Sequence, residues 1–229
     1  YRQSGRMVNI TRVKLKIYKK EGYDYANIAQ VFPKEREAVF SDVVTYNLVD
    51  GKIVKTKLGK EGEFINNLGD DFFEKKITMP NVKEGSILEY KVLSYENTLS
   101  RPVNFYFQEE IPIKAIILTV EYPESLMYNK NLSGYLSPSL RTETISDHID
   151  VRSLKMRDNY QLLNVPALID EGYVNNINNY RSRIQYELAA AEMNTYTENI
   201  ATDWKTITRN IYKLEDFGEQ LATTGYFEK

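Results

Sequence analysis

Apolar and polar residues alternate along much of the chain, which is the pattern of β-strands that bury one face. An early example is the run RVKLKIYKK, where Val13, Leu15 and Ile17 form the apolar set. We predict a strand at residues 11–19. In VVTYNLVDGKIVKTKL, Asp50-Gly51 separates two β-branched runs. This pair supplies the positive φ angles that a two-residue turn needs, so the segment predicts a hairpin.

Further strands are expected at short intervals. FFEKKITMPNVKEGSILEYKVLSYEN is typical of strand, turn and strand, because Pro80 and Gly85 end the two runs. Other candidates are residues 103–109, 113–121, 141–146, 149–156 and 181–189. Short strands at this spacing favour antiparallel sheets over alternating strands and helices. We therefore predict an all-β, antiparallel β-sandwich-like domain, built either as one sandwich or as two packed β-sandwich subdomains.

The last part of the chain changes to a helical period from Thr202 onward. Its apolar stripe comprises Trp204, Ile207, Ile211, Leu214, Phe217 and Leu221. We predict a C-terminal α-helix that is capped by Thr202 or Asp203 and buries this stripe against the β sheets or against a downstream domain. The opposite side carries Lys205, Arg209 and Lys213, which we interpret as a solvated face rather than a recognition stripe.

The predicted organisation is a β-sandwich-like domain at residues 1–201 followed by the amphipathic helix at 202–229. Candidate boundaries between compact regions are residues 97–101, the polar stretch 128–139 and the Asn-rich loop 173–180. Asparagine favours turns because its side chain bonds to the local backbone.

Composition and charge reduce the number of function classes that fit this chain. The chain has 30 basic and 32 acidic residues, for a net charge of -2. This balance argues against nucleic acid and anionic membranes as partners. No apolar run approaches the ~20 residues that span a bilayer. Cysteine is absent and His148 is the single histidine, which disfavours thiol chemistry, nucleophilic triads and most zinc sites.

The remaining candidate chemistry is weak. Ser153 and Lys155 share a strand face, a spacing at which a lysine activates a hydroxyl, but an exposed strand face explains them better. Asp147, His148 and Asp150 resemble a partial metal site, for which a solvated turn or strand edge is the better interpretation. We predict no metal, no cofactor and no catalytic residue.

Paired acidic residues are candidates for the two carboxylates of a glycosidase. Glu109 and Glu110 are adjacent and would point to opposite faces of a strand, whereas Asp70 and Asp71 lie in a predicted turn. A carboxylate hydrolase that uses Glu109, Glu171 or the Asp70 region is the weakest hypothesis. The 18 tyrosines are expected mainly to pack in strands. Exposed tyrosines leave a second hypothesis open, an independent glycan- or peptide-binding module.

Three segments carry a family resemblance. The first is FFEKKITMPNVKEGSILEYKV, with Gly-Ser-Ile-Leu-Glu-Tyr at residues 85–90. The second, FYFQEEIPIKAIILTVEYPESL, is marked by Phe107, Gln108, Ile111, Pro112 and Tyr122-Pro123. The third, LLNVPALIDEGYV, is marked by Asn164, Pro166, Ala167 and Glu171.

In this order, over roughly residues 10–222, the segments resemble the N-terminal β domain of unknown function that precedes the transglutaminase-like core of exported bacterial proteins. The resemblance implies a noncatalytic accessory domain, a periplasmic or extracellular location, and a downstream papain-like core in the same polypeptide as its partner. The core's cysteine, histidine and aspartate have no counterparts that can be assigned in this chain.

Overall fold

The computed structural model describes residues 7–34, 38–96, 102–146, 154–169, 174–193, 195–214 and 217–218. The chain forms two compact units, Tyr1–Leu99 and Ser100–Lys229. The predicted boundary at 97–101 lies outside the described residues, although the division between the units falls within it. The predicted division at residue 202 stays a prediction.

Unit 1 contains two antiparallel sheets. Its strands are β1 (Met7–Lys16), β2 (Asn27–Pro33), β3 (Ala38–Val49), β4 (Lys52–Lys57), β5 (Glu63–Asn67), β6 (Phe72–Thr78) and β7 (Ile87–Glu96). Short 3-10 helices occupy Lys20–Ala26 and Lys60–Gly62. Sheet 1 has the order β1-β7-β3-β4, and sheet 2 has the order β2-β6-β5.

The predicted hairpin is confirmed between β3 and β4. Val49 pairs with Lys52, and the two linking residues have positive φ angles, 49° at Asp50 and 74° at Gly51. The first predicted strand is also present, but β1 begins at Met7 rather than residue 11 and ends at Lys16. The strands on either side of Pro80 are present too, although β6 and β7 belong to different sheets.

Both sheets of unit 1 contribute to one apolar core. Leu88 and Val92 of sheet 1 are buried with Phe32 and Ile77 of sheet 2. The alternation along each strand therefore separates an inner from an outer side of each sheet, as expected for a sandwich.

Unit 2 repeats this arrangement with different strands. They are β8 (Val103–Tyr106), β9 (Ile113–Pro123), β10 (Leu126–Ser133), β11 (Ser139–Ser146), β12 (Leu154–Val165), β13 (Arg183–Glu192) and β14 (Thr197–Asn199). A 3-10 helix occupies Ile177–Asn179. Sheet 3 has the order β10-β13-β14, with β8 also paired to β13, and sheet 4 has the order β11-β12-β9.

The core of unit 2 is rich in tyrosine. Tyr122 and Tyr160 of sheet 4 pack with Ile184 and Tyr186 of sheet 3, beside Phe107. Each unit is thus two antiparallel sheets around its own core, which confirms the predicted all-β, sandwich-like class.

Several sequence expectations for unit 2 need correction, among them the strand predicted at 103–109, which ends at Tyr106. Residues 128–139 were expected to be a boundary, but β10 runs to Ser133, because alternate residues of this polar stretch face the core while the others stay in water. Strand β12 continues to Val165, beyond the predicted end at 156, and the start of that prediction lies outside the described residues.

The C-terminal helix is present as α1, Trp204–Tyr212, and is shorter than predicted. Asp203 is the cap, since its Oδ1 accepts a hydrogen bond from the Thr206 amide at 2.7 Å. Within the described residues the apolar stripe is covered only in part, since Ile207 is half-buried. Trp204 is 83% exposed, and Ile211, Leu214 and Phe217 are also exposed. No described helix has the length and apolar character needed to cross a membrane.

Candidate functional site

The first family segment positions the start of β7. The buried Ser86 hydroxyl lies 2.5 Å from Asn47 Oδ1 and accepts a hydrogen bond from the Lys83 amide. The Ser86 carbonyl accepts one from the Ile17 amide, and the preceding Gly85 has a φ of 84°. These bonds join the end of β1, the start of β7 and the last residues of β3. The role of this segment is therefore structural.

The MPNV turn of the same segment makes similar contacts. The buried Met79 donates its amide to the Ala26 carbonyl at 2.9 Å. Asn81 has a φ of 54°, and its carbonyl accepts a bond from the Asn47 amide side chain at 2.9 Å. The turn thus connects the two sheets of unit 1 through backbone groups.

The second segment is organised by Gln108, which is fully buried. Its side chain donates to the Tyr135 hydroxyl at 2.9 Å and accepts from the Ser182 amide at 3.1 Å. Its carbonyl accepts from Arg181 Nε, and the Arg181 guanidinium lies over the Tyr106 ring at 4.4 Å. The Gln108 side chain therefore joins the β8–β9 connection to the residue before β13 through its oxygen and to the β10–β11 connection through its nitrogen.

The third segment ends β12 with an irregular turn. Asn164 has a φ of 52°, and its side chain accepts a hydrogen bond from Lys114 Nζ at 2.7 Å. The next residue, Val165, is buried, and the Leu168 amide donates to the Glu109 carbonyl. Glu171 lies outside the described residues.

The acids and ligands predicted as candidates do not form a site in the described structure. Glu109 forms an ion pair with Arg181 at 2.5 Å. Asp70 and Asp71 are exposed in the bend between β5 and β6, as the turn interpretation expects. Asp147, His148, Asp150 and Ser153 lie outside the described residues. Within the described ranges, no cluster of three or more histidines and acids is placed to hold a metal ion.

The main buried polar group, which sequence reasoning missed, is a cluster around Asp158 in the core of unit 2. We call it the Asp158 cluster, and its other members are Lys130, Tyr122, Thr142, Tyr160 and Tyr186. Asp158 is fully buried, and Lys130 Nζ lies 2.6 Å from its Oδ2. Tyr186 donates to the same oxygen at 2.7 Å and Tyr122 at 3.2 Å.

The other oxygen of Asp158 is also occupied. Thr142 Oγ1 donates to Oδ1 at 2.6 Å, and the hydroxyls of Tyr160 and Tyr186 lie 2.8 Å apart. The Lys130 ammonium is 5.4 Å from the Tyr122 ring centroid and 5.8 Å from that of Tyr186, within cation–π range. Lys130 and Tyr186 belong to sheet 3, whereas the other members belong to sheet 4. The cluster therefore joins the two sheets.

Hydrogen bonds and opposite charge keep both Asp158 and Lys130 ionised. Burial alone would raise the pKa of Asp158, but hydrogen bonds from Lys130, Thr142 and Tyr186 outweigh it and the pKa falls below its ordinary value. For Lys130, burial lowers the pKa, and its bonds to Asp158 and Tyr122 more than compensate, so the pKa is raised. Burial strongly raises the pKa of Tyr186, which stays a phenol and a donor.

This arrangement serves as a fixed charge pair. A base that acts on a substrate needs contact with it, and the Asp158 carboxylate is sealed from the surface with both oxygens already bonded. The available signal was the alternation of Met156, Asp158, Tyr160 and Leu162. This alternation predicts that Asp158 lies on the inner face of its strand. It does not predict the partner, because Lys130 comes from the opposite sheet.

Comparisons with known proteins establish a family and a fold. Residues 3–159, most of the chain, match the sequence profile of a family described as a domain of unknown function with a solved structure, DUF3857. The fold is similar to the crystal structure of a candidate protease from Parabacteroides distasonis, with a TM-score of 0.63 and 16% identity. The similarity covers 81% of this chain and 38% of that chain. None of the curated proteins compared matches the chain.

Proposed function

Because the chain belongs to the DUF3857 family, we propose that it is a noncatalytic accessory domain of an exported bacterial protein. Its role is to position or shield a transglutaminase-like core further along the same polypeptide. The observation that carries this proposal is an exposed apolar stripe, formed by Trp204 and Ile211 of α1 and by Leu214 and Phe217 beyond its end. Water-exposed apolar stripes of this kind favour a partner surface.

Two further observations support this role. The family segments provide turns and sheet contacts through groups such as Ser86 and Gln108, which are buried and bonded within the fold. The similar candidate protease extends well beyond the region in common, since this chain spans 38% of its length. The sequence has no cysteine, so a thiol nucleophile has to come from another part of the polypeptide.

The direct test is the gene. We expect the reading frame to continue past Lys229 into a region that contains a cysteine, a histidine and an aspartate. A stop codon there, or a following region without cysteine and histidine, would defeat the proposal.

A second measurement addresses the docking of α1. In the full gene product, Trp204→Ser should lower the thermal midpoint of the downstream core, because it removes apolar contact area. Lys205→Ser, on the polar side of the same helix, is the matched control and should leave that midpoint unchanged. Equal midpoints for both variants would show that the core does not pack on the stripe.

Exposed aromatic residues in unit 2 favour a second candidate function, binding of a glycan or peptide. Tyr135, Tyr180 and Tyr196 are all exposed, and such rings give flat contact areas at low entropic cost. Titration of the chain with cell-wall fragments and peptides, monitored by tyrosine chemical shifts, tests it. Unchanged spectra at millimolar ligand would remove this candidate.

A further inference from the structure

The outer side of sheet 1 concentrates positive charge. Leu88 and Val92 of β7 are buried in the core, so the alternate positions on β7 and on the strands paired with it face outward. The cations at these outward positions are Arg12, Lys14, Lys16, Lys55, Lys57 and Lys91. We call this surface the basic face.

Strand register brings these residues together although they lie far apart in the chain. Arg12 is opposite Lys91, and Lys14 is opposite Glu89. Glu89 is in turn opposite Val44, which pairs with Lys57 on the far edge. With strands ~4.8 Å apart and same-side residues ~6.7 Å apart along each strand, the six cations lie on one compact patch.

Few negative charges offset them. Glu89 accepts a hydrogen bond from Tyr46 and lies 3.5 Å from Lys14. Asp42, in the irregular part of β3, is a second carboxylate beside this patch. The face therefore carries a surplus of four positive charges on a chain whose net charge is -2. The negative net charge does not exclude anionic partners at this face, because the local field is set by charges within about one Debye length.

Exposed aliphatic residues lie on the same face at both ends of the basic patch. Ile10 is 59% exposed at one end, and the paired Leu48 and Ile53 are 68% and 69% exposed at the other. Arg12 and Tyr46 also lie on this face, but single-stranded nucleic-acid sites stack successive bases on several aromatic rings. Protein interface cores, in turn, are poor in lysine. Lysines mixed with aliphatic side chains fit a lipid interface instead, where ammonium groups meet phosphates and aliphatic groups enter the acyl boundary.

We propose that the basic face docks this domain peripherally on an anionic lipid surface. The lysines contribute attraction to lipid phosphates, and Leu48, Ile53 and Ile10 contribute apolar contact. Sheet 1 then lies against the bilayer, with its inner side still packed in the core of unit 1.

Vesicle co-sedimentation tests the proposal on the full chain. We expect it to bind phosphatidylcholine vesicles that contain phosphatidylglycerol, not pure phosphatidylcholine vesicles, with an affinity that falls as salt rises. The triple variant Lys14→Glu, Lys57→Glu, Lys91→Glu should weaken binding by about tenfold or more. Leu48→Ser with Ile53→Ser should weaken the part of binding that persists at high salt.

The matched control reverses the same number of charges on α1, through Lys205→Glu, Arg209→Glu and Lys213→Glu, and should retain most of the binding. Circular dichroism verifies that each variant is folded. An equal loss in the control, equal binding to both kinds of vesicle, or tighter binding to single-stranded DNA or polyglutamate than to the vesicles would overturn the proposal. The last result would identify a different class of polyanion as the partner.

Discussion

Asp158 illustrates how much a single residue contributes through its surroundings. A carboxylate with no exposed surface is costly unless it is paired and fully hydrogen-bonded. Lys130 supplies the opposite charge, while Thr142 and two tyrosines supply donors. Because these partners come from both sheets of unit 2, the pair makes one particular alignment of the sheets favourable.

Replacing the charge should be costly. Asp158→Asn leaves the ammonium of Lys130 without its partner, and we expect a loss of about 3 kcal/mol in the free energy of unfolding. Urea denaturation at neutral pH measures it. Glu121→Gln removes an ion pair with Arg157 on the outer side of the same sheet and should cost less than about 1 kcal/mol. Similar losses for both variants would contradict a stabilising role of the Asp158 cluster.

The same pair predicts a pH dependence. The pKa of Asp158 is lower in the folded than in the unfolded state, so its contribution is complete above the ordinary carboxyl pKa of about 3.9. It is lost as the pH falls through the lower folded-state pKa. The stability difference between the native chain and Asp158→Asn should therefore shrink on acidification. A constant difference down to strongly acidic pH would argue against this linkage.

Substitution of two glycines by alanine should distinguish the cost of backbone strain from the cost of steric crowding. Gly69 and Gly134 have φ angles of 87° and 88°, but a Cβ at Gly134 would clash with Ser182, whereas nothing lies near Gly69. Gly69→Ala should cost about 1–2 kcal/mol from the backbone alone. Gly134→Ala should cost clearly more in the same urea denaturation. Equal costs would show that Ser182 moves aside freely.

At the scale of elements, α1 combines a well-defined start with an exposed apolar stripe. Asp203 caps its first turn, and Asn210 donates to the Ile200 carbonyl at 2.9 Å. A nine-residue helix is marginal in isolation, so these polar contacts and any packing partner determine how firmly it forms.

The helix cap can be tested by comparing a substitution at Asp203 with one at its neighbour Thr202. Asp203→Ala removes the acceptor for the Thr206 amide and should destabilise α1 by about 1 kcal/mol, seen as faster hydrogen exchange of the helix amides. Thr202→Ala is the control, because Asp203 provides the observed cap and Thr202 was the sequence alternative. Faster exchange in the Thr202 variant alone would mean that the cap is assigned to the wrong residue.

At the scale of the whole molecule, two units each enclose a separate core. The unit 1 core is aliphatic and phenylalanine-rich, whereas the unit 2 core is built around tyrosines and the Asp158 cluster. Proteins unfold locally in cooperative regions, and a separate core is such a region. Each unit is therefore expected to respond to damage in its own core.

Hydrogen exchange in Asp158→Asn tests this independence. We expect faster exchange in β9–β13 and unchanged exchange in β1, β3 and β7, because the lost bonds lie wholly within unit 2. A matched substitution in the other core, Leu88→Ala, should give the reverse pattern. Acceleration in both units by either variant would show that they open together.

Local patterns predicted many elements correctly. The Asp50-Gly51 hairpin, most strands and the start of α1 follow from turn chemistry and from periods of two and about 3.6 residues. The polar strand β10 was missed because Asn129, Lys130 and Asn131 resemble a loop. Its pairing with β13 overrides that local preference, since the ladder satisfies the backbone whatever the side chains are.

The sequence by itself determined the all-β class, the antiparallel strands and the family resemblance, because these depend on residues close together in the chain. Only the tertiary structure decided that Lys130 neutralises Asp158, that α1 exposes its stripe, and that six cations share one side of sheet 1. The physical reason is that the residues involved lie far apart in the sequence. Charge pairing and exposure depend on which strands become neighbours, and that register is set by the packing of a whole core.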